Sequence, residues 1–226
     1  MKLIGLTGGI ASGKTAVSRM IIRRKLPLID GDLLAREVVE PGKPAYNLII
    51  KNFSRDVLNE DGTLDRAKLA DIIFSDEQKR KILNRCTHPY IRRKIFKLLA
   101  WYWATGEKLV VLDAPLLIES GLYKWMSAVV VIYVSEQLQL HRLIKRDNIQ
   151  EHAALQRISA QMPIREKIKY ADHVIDNSSD LGETERQLNV VLAKVYPTWW
   201  NWLITWLGPP TIVVLGLAAV ANSKIK

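Results

Sequence analysis

Leu3-Ile4-Gly5-Leu6-Thr7-Gly8-Gly9-Ile10-Ala11-Ser12-Gly13-Lys14-Thr15 is the stretch on which the fold turns. Its first residues are a short apolar run of strand type. Residues 8–15 then match glycine, four free positions, glycine, lysine and serine or threonine at every fixed place. A chain of phosphates has to be wrapped by backbone N–H groups, so the loop must bend without β-carbons in the way. Lys14 opens a helix whose N-terminus favours the same anion. On this reading Gly8, Gly9, Ile10, Ala11, Ser12 and Gly13 cradle phosphates with their backbone. Lys14 reaches the β- and γ-phosphates, and Thr15 gives its hydroxyl to Mg²⁺. The bland alternative is a glycine-rich turn with a solvated lysine. A strand before the loop and a helix after it argue against that.

Outward from the loop, residues 14–24 read as its helix. Leu26-Pro27-Leu28-Ile29 is a second apolar run and ends in Asp30-Gly31-Asp32. From 33 to about 106 the pattern is helical and strongly charged, with turns at Glu40-Pro41-Gly42-Lys43-Pro44 and Glu60-Asp61-Gly62-Thr63. Residues 109–112 and 129–134 are unbroken apolar runs without polar alternation, as in strands covered on both faces. Residues 135–162 are helical and carry arginines; 173–176 is a fifth short strand; 181–195 is a last helix. Strands alternating with helices predict an α/β fold, the three-layer parallel sheet of P-loop NTPases. The catalytic domain spans 1–196, with a helical substrate lobe inserted at about 33–106 and a helical lid at about 140–165.

Three further groups carry chemistry. Asp113 closes the third strand, where an acid holds Mg²⁺ directly or through water; the alternative is a helix cap before Pro115. Asp30 and Asp32 follow the second strand and so emerge at the edge that carries the phosphate loop. Two carboxylates facing a triphosphate repel it unless a metal or a substrate hydroxyl uses them. Asp32 is read as the base that accepts a hydroxyl proton during in-line transfer; an Asx turn is the alternative. Arg142 and Arg146 lie four apart on one helix face, suited to offsetting charge on the transferred oxygens. The guanine-reading motif NKxD does not occur.

The 226 residues are 48% hydrophobic and 25% charged, which is a globular composition. Thirty-three lysines and arginines against 23 acids give a net charge of +10, suited to a polyanionic partner or simply a solvated basic surface. With Cys86 alone, neither an intramolecular disulfide nor a cysteine-based zinc cluster can form. The four histidines show no metal-ligand pairing. The loop begins too early for a cleavable leader to precede it. No charge occurs from Tyr196 to Ser223, and Trp199, Trp200, Trp202 and Trp206 crowd the first half of that run. Residues 199–221 are long enough as a helix, about 35 Å at 1.5 Å per residue, to cross a bilayer. Residues 197–226 are therefore expected to be a hydrophobic C-terminal helix and membrane anchor. Gly208-Pro209-Pro210 and Asn201 weaken that reading.

Together these residues resemble the dephospho-coenzyme A kinase family. The similarity rests on residues 4–15, on Ile29-Asp30-Gly31-Asp32 leading into Ala35-Arg36-Glu37-Val38-Val39-Glu40-Pro41-Gly42, and on His88-Pro89-Tyr90-Ile91. It continues through Asp113-Ala114-Pro115-Leu116-Leu117-Ile118-Glu119, Arg157-Ile158-Ser159-Ala160-Gln161-Met162-Pro163 and Ala171-Asp172-His173-Val174-Ile175-Asp176-Asn177. Ala11 and Gly31 stand where many members have glycine and alanine. The resemblance implies transfer of the γ-phosphoryl group of ATP, with Mg²⁺, to the ribose 3′-hydroxyl of dephospho-coenzyme A. It implies Asp32 as base, Lys14 and Arg142 as catalytic cations and Arg146 and Asn177 on the nucleotide. Asp30, Arg36 and His88 fall on the acceptor side. No nucleic-acid partner is implied, and the oligomeric state is open. The tail is similar to the hydrophobic extension of some animal relatives, which implies a cytosol-facing enzyme anchored in the mitochondrial outer membrane or endoplasmic reticulum. The competing readings are another small-molecule or nucleoside kinase, and a tethered nucleotide-binding protein without catalysis.

Overall fold

In the computed structural model, which describes residues 1–200 with 202, 203 and 206, β1 (Lys2–Gly8) is the middle strand of a five-stranded sheet. Its parallel neighbours are β3 (Leu109–Asp113) and β4 (Ala128–Tyr133). Beyond β4 lies β5 (His173–Asp176), parallel to it, and beyond β3 lies β2 (Leu28–Asp30), giving the order β2-β3-β1-β4-β5. The chain thus leaves β1 to one side for two strands and then crosses to the other side for two more. In such a sheet the carboxyl end of the strand where the order reverses is the place for a ligand. Here that end is Gly8.

Register assigns the faces. Ile4 pairs with Val111 and with Ala128, and Leu6 with Val130. With a period of two, these residues share one face with Leu109, Ile132 and Ile175. Helices α1 (Lys14–Arg23) and α9 (Leu181–Val195) cover it with Val17, Met20, Ile21, Leu188, Val191 and Val195. Thr7, Val110, Leu112 and Val131 point to the opposite face and are equally buried. Gly5 lies there too, and a β-carbon on it would come within 2.4 Å of Leu117. Both faces are covered, which is why the strands show no polar alternation. The second apolar run enters the sheet two residues later than its composition suggests. Pro27 has no N–H to give, and only its carbonyl is used, by the Val111 amide at 2.9 Å.

The helical stretch expected over 135–162 is made of two helices, α6 (Glu136–Asp147) and α7 (Glu151–Ser159). Asn148 ends α6 at φ 50, ψ 48, a left-handed conformation asparagine adopts more readily than most residues. Asp147 then accepts hydrogen bonds from Arg146 at 2.7 Å and from Arg157 of α7 at 2.6 Å, tying the two helices together. A short α8 (Ile164–Ile168) follows and packs on β4.

The chain divides into two compact units, Met1–Ile29 with the chain from Trp101 onward, and Asp30–Ala100. The second holds α2 (Gly31–Glu37), α3 (Pro44–Phe53), α4 (Arg66–Ser75) and most of α5 (Glu77–Ala104). Pro44 starts α3, where its missing N–H costs nothing. This unit has its own core, with Val39, Ala45, Ile49, Val57, Leu69 and Cys86 buried. Burial pushes the Cys86 thiol pKa up, so it stays protonated and unreactive.

Candidate active site

The phosphate loop is held from outside by side chains that reach its carbonyls. Asn177, the residue after β5, donates from Nδ2 to the Ser12 carbonyl at 2.8 Å and accepts from Thr184 Oγ1 at 2.8 Å. Gln139 of α6 donates to the Ile10 carbonyl at 2.9 Å, and the Ile10 amide donates to Gln161 Oε1 at 3.1 Å. Among the described residues nothing accepts from the amides of Gly13, Lys14 or Thr15, which leaves the start of α1 open to an anion. Gly13 caps α1 at φ 86, and a β-carbon on it would lie 2.0 Å from Asn177 Nδ2. This glycine is therefore required twice, by its backbone angle and by its neighbour. Ala11 also sits at positive φ, 56°, where glycine is easier by roughly 1 kcal/mol or more. Ser12 Oγ is buried without a hydrogen-bond partner, an orphan hydroxyl inside the loop.

Lys14 and Asp113 form an ion pair through Oδ1, with side-chain exposures of 16% and 6%. The other carboxylate oxygen, Oδ2, accepts from Ser18 Oγ at 2.5 Å. Asp113 therefore does not cap a helix; it faces α1, because register puts it on the Leu6 side of the sheet. Ser18 was not singled out from the sequence, although its position four residues after Lys14 puts both on one helix face. Thr15 is exposed. The nearest guanidinium nitrogen of Arg142, Nη1, is 3.9 Å from where a β-carbon of Gly13 would stand. Arg146 is drawn onto Asp147 instead, and that hydrogen bond raises its pKa and lowers that of Asp147. The structure thus brings Lys14, Asp113, Arg142 and Asn177 to the loop, and pairs Arg146 within the lid segment. Asn177 is buried under the loop, so what it offers a nucleotide passes through Ser12.

In the second unit, Asp30 Oδ1 accepts from the amides of Asp32 and Leu33, each at 2.9 Å, which makes it the N-cap of α2. Asp32 and Arg36 are exposed on that helix. His88 lies half-buried within α5, one residue before Pro89. Loss of water around the ring lowers its pKa, with the Arg92 charge adding to the effect, so it is neutral near pH 7. Among the described residues no group of three or more histidines, cysteines and acids could hold a metal alone. Thr15 and Asp113 offer hard oxygens, which suit Mg²⁺ arriving with phosphate ligands.

The sequence model of the dephospho-CoA kinase family matches residues 2–183. A dephospho-CoA kinase from Bacillus cereus is 49% identical over 199 residues, covering 88% of this chain and 97% of that protein. One from Shouchella clausii is 50% identical over 191 residues, covering 84% and 97%. Among solved structures, a Thermus thermophilus protein aligns with TM-score 0.75 at 31% identity over 87% of this chain and 98% of its own. A dephospho-CoA kinase from Campylobacter jejuni gives 0.65 at 28% identity over 86% and 96%.

These relatives correct the expected localisation. They are bacterial, with neither mitochondrion nor endoplasmic reticulum, and their near-complete lengths are matched within 199 residues of this chain. Among the described residues no helix is long and apolar enough to cross a membrane. Of the four tryptophans that suggested an interface belt, Trp202 and Trp206 pack on the chain itself, while Trp199 and Trp200 are exposed and stack on each other. Trp206 Nε1 donates to the Trp103 carbonyl at 3.0 Å, and Lys108 lies 5.3 Å from the Trp202 ring. The membrane-anchored form is not retained; the rest of the expected C-terminal helix lies outside the described residues. The family match and the geometry around Gly8 converge, and the chain belongs to the dephospho-CoA kinase family.

Proposed function

We infer that the chain transfers the γ-phosphoryl group of ATP to the ribose 3′-hydroxyl of dephospho-coenzyme A, giving coenzyme A and ADP. The observation that carries this is the loop at 8–15, open at the start of α1 and ringed by Lys14, Asp113 and Arg142, in a chain of this family. The finer fold reading is the P-loop NTPase core, with Asp30–Ala100 as the substrate lobe and the α6–α7 hairpin as lid.

In this mechanism the loop amides and Lys14 bind the terminal phosphates, and Lys14 exchanges Asp113 for the more highly charged phosphate. Asp32 accepts the proton as the ribose oxygen bonds to the γ-phosphorus and the bond to the β-phosphate oxygen breaks. Arg142 offsets charge on the transferred oxygens. Arg36 and neutral His88 bind the acceptor, with Asp30 acting first through its cap on α2. Arg146 joins the nucleotide site by leaving Asp147 when the lid closes. Thr15 and Asp113 would hold Mg²⁺, which when bound would neutralise phosphate charge.

The test is a comparison of kcat/KM for ATP turnover against a panel of acceptors. Dephospho-coenzyme A should exceed every nucleoside and small alcohol by orders of magnitude. Preference for a nucleoside would replace this reading with that of a nucleoside kinase.

A further inference from the structure

Behind the phosphate loop lies a lysine for which the mechanism above has no use. The Lys167 side chain, in α8, has no solvent exposure, whereas that of Glu119 beside it keeps 24%. Lys167 Nζ donates to the Pro115 carbonyl at 2.7 Å and pairs with Glu119 Oε1 at 2.9 Å. The Gly8 carbonyl is at the edge of hydrogen-bond range, 3.5 Å. The Pro115 carbonyl also accepts from Thr7 Oγ1 at 3.0 Å, and Glu119 Oε1 also accepts from the Met162 amide at 3.3 Å. An ammonium is costly to remove from water unless its donors and charge are matched. Here they are matched by two segments, the Gly8 end of the loop and the turn at 115–119, while the Met162 amide holds Glu119 from a third; all three border the reactive machinery. Gly8 opens the loop, Pro115 follows Asp113 by two residues, and Met162 follows Gln161, the acceptor of the Ile10 amide.

We propose that Lys167 is a positioning residue for phosphoryl transfer, fixing the turn after Asp113 against the Gly8 end of the phosphate loop while Glu119 holds it in place. Its contact is with carbonyls of the two segments, so its effect on the reaction runs through Asp113 and the loop and not through the substrate. A methionine fills nearly the same volume but cannot donate, which frees the spacing between the segments without opening a cavity. The proposal rests on residues 8–15 being the phosphate site.

The experiment measures kcat per folded molecule, KM for ATP and thermal midpoint for Lys167→Met, well below its midpoint, beside Lys14→Ala. A positional error of an ångström or less slows transfer about 10- to 100-fold. That loss is expected in kcat per folded molecule for Lys167→Met, with KM for ATP changed less than about threefold. A value within twofold of the parent, whatever the midpoint does, would reduce Lys167 to a structural residue and overturn the proposal. If the methionine variant does not fold, Lys167→Gln is judged by the same criterion. Lys14→Ala separates the two readings: should it turn over normally, the phosphate site itself is misplaced, and a dead Lys14→Ala with a normal Lys167 variant refutes the positioning role alone.

Discussion

In the proposed mechanism Asp32 and Arg142 act as single residues, and their loss should look different. Asp32→Asn keeps the size of the side chain and leaves the Asp30 cap on α2 in place, but it cannot take a proton. Its kcat should fall at least about 100-fold, the scale of a lost general base, with the melting temperature nearly unchanged. Pre-steady-state measurement of the transfer step checks this; an unchanged step would remove Asp32 from the base role. Arg142 lies beside Gly13, and in the proposed mechanism it acts on charge that develops only during transfer. Arg142→Ala should therefore lower kcat about 100-fold while ATP affinity, measured by calorimetry, changes only severalfold. Equal losses in both would make Arg142 a binding residue. At this scale the candidate site is partly legible in sequence, because the spacing of Gly8, Gly13, Lys14 and Thr15 is itself the chemistry. Of the side chains that hold the loop, the resemblance points to Asn177, but Gln139 and Lys167 are not legible, since glutamine and lysine are surface residues by composition and only the fold buries them.

Among elements, the tie between α9 and the loop is the one most open to test. Thr184 donates to Asn177, which donates to Ser12, so one hydroxyl in α9 stands two bonds from the loop backbone. Thr184→Val preserves shape and removes the donor, leaving Asn177 Oδ1 without it in a buried place. A loss of about 1–3 kcal/mol in chemical denaturation is expected, with weaker ATP binding beside it. Unchanged stability and binding would show that the loop needs no such tie. Strands were readable at this scale because burial on both faces writes an uninterrupted apolar run. The break between α6 and α7 was not, since a single left-handed residue, Asn148, makes it within a stretch that is charged on both sides. Pro89 shows the opposite: a proline is read as a helix break, yet α5 runs through it with His88 half-buried.

For the whole molecule, half-buried His88 sets a dependence of stability on acid. Its folded pKa lies below its unfolded value, so the unfolded chain binds the proton more readily. Stability should fall as pH drops below about 6.5 and level off once the folded ring is also protonated. His88→Gln should flatten that slope in urea titrations run across the window; an unaltered slope would place the proton uptake elsewhere. At the start of the tail, composition does not show what the described tryptophans touch. A run without charges satisfies the arithmetic of a membrane span, but composition does not say what the run packs against. Trp202 and Trp206, seen in their places, lie on Trp103 and Lys108 of the same chain.

The most direct trial of the account is to incubate the enzyme with ATP and dephospho-coenzyme A and locate the transferred phosphate by ³¹P NMR. One 3′-phosphomonoester should appear for every ADP formed, and none with Lys14→Ala. ADP without a phosphorylated acceptor, or phosphate at any other hydroxyl, would contradict it.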